Sequence, residues 1–169
     1  MKSIAAAGAA HDILRDNFRQ TMAQAAGSVA AVTALDGVRP HGTTVSAFLS
    51  LSMTPPLIAV ALNSDSNLLA LIRSTGRFGV NMLAVEQSAI ATRLSGKGPD
   101  KFEGLSWSLD HGLPRLPGSA GWVAAVVEDF LPGGDHEIVV GAVLDSEVAA
   151  DIAPLTYHQR TFGTHTPIG

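Results

Sequence analysis

The chain has 169 residues, 46% of them hydrophobic and only 15% charged, a formal net charge of −4 and no cysteine, dimensions that fit one domain around one core. Its scattered Lys and Arg exclude the clustered footprint of a nucleic-acid binder, and the missing thiols exclude disulfides, thiolate metal sites and cysteine nucleophiles. A cysteine-free chain fits a reducing cytoplasm, and so low a charged fraction points to surface covered by a second subunit.

The first ten residues, mostly alanine, are expected to be loosely held, with a single domain over 11–169; Asp12, Arg15 and Asp16 break any apolar leader. Leu14, Phe18, Met22 and Ala25 recur at helical spacing, which predicts a helix over 11–26 stopped by Gly27. A short strand over 28–35 and a turn over 36–42 carrying Asp36–Gly37 follow.

From Pro40 to Ser64 there is no Lys, Arg, Asp or Glu. Pro55–Pro56 and the six hydroxyl side chains between Thr43 and Thr54 argue against a membrane-spanning helix, so no membrane contact is expected. Taken as one strand, 44–53 places Val45, Ala47, Leu49, Leu51 and Met53 on one face. The other face carries Thr44, Ser46, Phe48, Ser50 and Ser52. A solvated strand face is the plainer account of such alternation, but solvent faces normally carry Lys or Glu. The hydroxyls are therefore expected to face inward, towards a flat heterocycle or a phosphate.

A buried strand over 57–62 comes next, then a helix opening in "NSDSN" (63–67) and stopping at Gly76. A strand over 77–83 and a short helix over 86–96 lead into a long Gly- and Pro-rich connection over 97–121. Segments 122–131 and 136–148 flank "PGGD" and read as a hairpin; 154–162 is the last strand. The result is a mainly β, antiparallel barrel of six or seven strands with a few peripheral helices.

Familiar catalytic sets are missing. There is no HExxH, no GxSxG, no Gly-rich phosphate loop and no metal-like pairing among the six histidines, so no metal site is expected. "NSDSN" offers hydroxyls and helix-start N–H groups to an anion, although ordinary capping explains it too. His136, just past a Gly-Gly-Asp turn, could aim its ring into a cleft; His158, beside Tyr157, is a further candidate. A polar-lined strand without an evident acid, base or nucleophile suits a cofactor that carries the chemistry itself.

Over about 18–162 the chain resembles the short-chain flavin reductase family, the reductase components of two-component flavin-dependent monooxygenases. The resemblance rests on "FRQTMAQAAGSVAAVT" (18–33), "PHGTTVSAFLSLSMTPPL" (40–57), "NSDSN", "GRFGVNML" (76–83), "KGPDKF" (97–102), "GLPRLPGSAGW" (112–122) and "GGDHEIVVGAV" (133–143), in order. It implies a split-barrel homodimer with FMN or FAD near the interface. Thr44, Val45, Ser46, Ala47, Ser50, Leu51 and Ser52 would cradle the ring and ribityl chain. Asn63, Ser64, Ser66, Lys97 and Phe102 would lie near the phosphate, and Asp135, His136 and His158 near the nicotinamide, with His136 the catalytic position. The implied reaction is hydride transfer from NADH or NADPH to flavin, with reduced flavin passing to a separate monooxygenase. The chain departs from the family pattern at Gly27–Ser28 and at Asp65 and Asn67. An oxidase of pyridoxamine-phosphate-oxidase type and a non-enzymatic flavin or haem module are the competing readings; the charge-free 40–64 run speaks against the first.

Overall fold

A two-residue turn organises the longest pairing in the structure, a computed structural model that describes residues 2–98 and 100–168. Gly134 adopts a φ of +77°, the left-handed conformation that a tight hairpin asks of glycine. In chain order the elements are α1 (Lys2–Met22), β1 (Gly27–Ser28), β2 (Ala30–Asp36), β3 (Arg39–Val45), β4 (Phe48–Met53), β5 (Pro56–Asn63), α2 (Asn67–Thr75), β6 (Arg77–Met82), α3 (Ser88–Ser95), β7 (Ser108–Asp110), β8 (Leu113–Arg115), β9 (Gly121–Gly133), β10 (His136–Val148), β11 (Leu155–His158) and β12 (Thr161–Thr164).

Seven strands form one sheet in the order β3-β2-β6-β9-β10-β5-β4, every neighbouring pair antiparallel. Its two edge strands, β3 and β4, are joined in the chain by Ser46 and Ala47 alone. The sheet therefore curls until its edges meet at a corner, where Ala61 N–H donates to the Ala47 carbonyl at 2.9 Å. This is the expected antiparallel split barrel. The expected single strand over 44–53 is not: its alternation runs across that corner, where the pleat is interrupted.

Strand β2 is buried on both faces. Ala30, Val32 and Ala34 meet a core closed by Leu68, Leu69 and Ile72 of α2. Val29 and Ala31 meet a second core with Ala91 and Leu94 of α3, Phe102 and Leu155. Burial of these apolar side chains, each contributing roughly 1.5–3 kcal/mol for the larger ones, fixes both helices against the sheet.

Three elements differ from the sequence expectation. The first helix begins at Lys2 and ends at Met22, and its described side chains from Ala10 to Met22 are all exposed, Phe18 by 65%. The long connection contains the hairpin β7–β8, pinned to the barrel wall where Asn81 accepts from Leu116 N–H at 2.7 Å and Thr33 donates to the Pro114 carbonyl at 2.7 Å. The chain end closes a three-stranded sheet, β1-β11-β12, with its beginning. No helix among the described residues is long and apolar enough to cross a membrane.

Candidate active site

The β5–β10 ladder sets His136 opposite Asn63, and Ser64 N–H donates to the Asp135 carbonyl at 3.0 Å. The "GGDH" turn and the "NSDSN" segment, far apart in sequence, thus form one rim. His136 Nδ1 lies 2.7 Å from Asp135 Oδ1. A carboxylate only accepts, so Nδ1 carries the proton, and Nε2 has no partner among the described residues. That hydrogen bond, and secondarily the imidazole's charge, hold the Asp135 carboxyl below the usual carboxylate range.

Along the rim, Asn63 Oδ1 accepts from Asp65 N–H at 2.9 Å, a local turn that delivers the chain to α2. Ser66 occupies the N-cap in extended conformation, yet its hydroxyl makes no capping bond. Its oxygen and the first-turn N–H groups of α2 remain available at the positive end of the helix.

The facing wall is β3. A Cβ on Gly42 would stand 3.0 Å from Phe102 Cε2 and from the Val32 carbonyl, tighter than side chains normally pack, so a larger residue here would push ring or strand aside by a few tenths of an ångström. Lys101 Nζ donates to the Leu94 carbonyl at 2.9 Å and to that of Gly42 at 3.4 Å. Burial of this ammonium pushes its pKa down from the ordinary lysine value. Thr43 donates to the Leu94 carbonyl at 3.5 Å and Thr44 to the Ala91 carbonyl at 2.7 Å.

Between rim and wall lies a cleft of about 580 Å³ that takes in Asn63, Ser66, Lys97 and Phe102, with His41, Thr43, Asp65 and Lys101. A separate hollow of about 350 Å³ holds Ser46, Ala47 and His158 beside Met22 and Tyr157. Seven of the expected residues line these two cavities, whereas Thr44, Val45, Ser50, Leu51, Ser52, Ser64, Asp135 and His136 line neither. Thr44 spends its hydroxyl on α3, and Val45 packs against the main core. Ser50, Leu51 and Ser52 stand on the edge strand β4, where Ser52 Oγ accepts from Thr54 N–H at 3.3 Å. The expected inward wall is open along β4 in the single chain: Ser50, Leu49, Leu51 and Met53 are exposed, Met53 by 78%. Ser64 stands exposed on the rim with Asp135, outside both cavities. Sequence reasoning missed Lys101 and Gly42, although "PHG" and "KF" each carried a hint; their contact is visible only once β3 and the segment after α3 are placed together. Among the described residues no group of three or more His, Asp or Glu side chains could hold a metal ion.

Residues 22–166 match the profile of the flavin reductase like domain. The chain belongs to the flavin reductase like family. It is 34% identical over 149 residues to the reductase component of 4-hydroxyphenylacetate 3-monooxygenase from Thermus thermophilus, a match spanning 88% of this chain and 95% of that one. It is 33% identical over 156 residues to an NADH:riboflavin 5'-phosphate oxidoreductase from Streptomyces pristinaespiralis, spanning 89% and 88%. The structure of a nitrilotriacetate monooxygenase component B homologue from Mycobacterium thermoresistibile superposes with a TM-score of 0.87 at 28% identity, over 94% of this chain and 93% of that one.

The cleft suits the phosphate-bearing end of a flavin. Two lysines, an uncapped serine hydroxyl and the start of α2 line it, against the single carboxylate of Asp65. A flavin reductase like protein needs such a hold, because the flavin supplies the hydride acceptor that no side chain here provides.

Proposed function

We propose that the chain is an NAD(P)H:flavin oxidoreductase that reduces FMN or FAD with a hydride from reduced nicotinamide and supplies a separate monooxygenase with reduced flavin. The observation that carries this is the junction of the "GGDH" turn with the lysine- and serine-lined cleft. Ser66, Lys97 and the α2 N-terminus hold the phosphate, while His136, fixed by Asp135, offers Nε2 to the nicotinamide side. Placing two rings face to face contributes to the rate by orientation, on the order of 7–11 kcal/mol at best.

Ser46, Ala47, Ser50, Leu51, Ser52 and His158 reach the same ligands in a homodimer, in which a second copy covers β4 and encloses the ring between subunits. The apolar side chains left uncovered on β4 and α1 support that assembly. The catalytic unit is the single domain 11–169, working in the cytoplasm.

The test is absorbance at the reduced-nicotinamide band with FMN or FAD and with NADH or NADPH. Oxidation that depends on added flavin is expected; no oxidation with any of the four pairings would overturn the reading.

A further inference from the structure

The tip of the β9–β10 hairpin carries Asp135 and His136, and on its β9 side it runs out past the sheet. Strand β6 pairs with β9 only from Gly121 to Val126, and Val127 N–H then donates to the Gly76 carbonyl at 2.9 Å. Beyond Val127 no strand among the described residues lies on this side of β9. The pairing with β10 also steps there, from Val127 opposite Gly141 to Asp129 opposite Val140, which leaves Glu128 as an extra residue. Such a bulge bends a hairpin and adds twist, here just before the tip. Phe130 N–H turns to the preceding side chain, donating to Asp129 Oδ1 at 2.7 Å.

Arg73, in the last turn of α2, reaches across to both strands of this tip. Its guanidinium lies over the Phe130 ring of β9, 4.1 Å from the centroid, and donates to the Glu137 carboxylate of β10. Phe130 pairs with Val139, which α2 covers, and Glu137 stands two residues before Val139 on the same face. His136, one residue earlier, is therefore presented on the opposite face. On the β5 side the ladder and the bond from Ser64 N–H to the Asp135 carbonyl hold the tip, so Arg73 completes the grip from the side that lacks a strand.

Building on the assignment of His136 to the nicotinamide above, we propose that Arg73 is a positioning residue for the hydride donor: bound to Phe130 and Glu137, it fixes the hairpin tip beyond the bulge and so sets where His136 stands on the rim. Arg73 lies about two turns along α2 from Ser66 and lines no wall of the cleft, so its loss should not reach the flavin. Both partners of the ion pair are partly exposed, and such a pair adds little to stability. Its consequence is the direction in which the tip points.

The experiment is steady-state kinetics on the full chain, with flavin and reduced nicotinamide varied in turn. Arg73→Met keeps an apolar stem and removes the charge. It should raise the KM for reduced nicotinamide roughly 2- to 10-fold while the KM for flavin and the urea midpoint move little. Arg73→Lys, still cationic over Phe130, should recover part of that loss. In a His136→Ala background Arg73→Met should add nothing further, because both changes act through one ring. An unmoved nicotinamide KM in Arg73→Met overturns the proposal alone, as does a rise that adds in full to that of His136→Ala. Equal rises in both KM values do so too, since they reveal a general loosening of α2. If His136→Ala itself leaves the nicotinamide KM unmoved, the proposal falls together with the assignment beneath it.

Discussion

At the scale of single residues, the Asp135–His136 contact gives two expectations. His136→Ala should raise the KM for reduced nicotinamide roughly 2- to 10-fold, the worth of one neutral hydrogen bond, and leave the KM for flavin unchanged; a nicotinamide KM that does not move removes His136 from the site. Asp135 has its folded-state pKa depressed, so whatever the contact contributes is present above the unfolded value and is lost as pH falls through the folded one. An NMR titration of the Asp135 carboxyl should place its midpoint below the ordinary value near 3.9, and in His136→Ala the midpoint should rise. Thr44 separates the sequence expectation from the structure. Thr44→Val should cost about 0.5–1.5 kcal/mol of stability through the lost bond to Ala91 and spare FMN affinity. Weaker FMN binding at unchanged stability would instead return Thr44 to the flavin.

At the scale of elements, the tightest constraint lies where β6 crosses β9. A Cβ on Gly79 would stand 2.3 Å from Trp122 Cη2 and 2.8 Å from Thr33 Oγ1, and the ring, buried against the β7–β8 hairpin, has no room to withdraw. Gly79→Ala should therefore lower stability by about 1–3 kcal/mol, seen as a lower urea midpoint at unchanged slope; an unmoved midpoint would contradict this packing. The strands of this region were legible in the sequence because buried runs such as "WVAAVV" and the Gly-Gly-Asp turn speak through local periodicity and φ preference. The hairpin β7–β8 was not, since its three-residue strands are held by Asn81 and Thr33, partners distant in sequence. The corner at Ser46–Ala47 escaped for a related reason: nothing in an alternating pattern records where a sheet bends. His136 and "NSDSN" could each be picked out as motifs, but their meeting depends on the register between β5 and β10, which local pattern does not encode.

At the scale of the molecule, the single chain leaves apolar surface on α1 and along β4, and composition had pointed the same way through its scarcity of charge. Light scattering after size exclusion should give the mass of two chains. Phe18→Glu or Leu51→Glu, each placing a carboxylate in a covered apolar surface, should shift that mass towards one chain; two unaltered dimers would rule these faces out of the contact. The bend after Val45 carries a mechanical meaning as well. Only two small residues separate the outermost strand from the one whose Gly42 backs the ligand cleft, too short a leash for either to slide alone. Whatever settles on the barrel's outer rail therefore tugs on the cleft's back wall, so assembly and grip on the ligand should tighten or slacken in step.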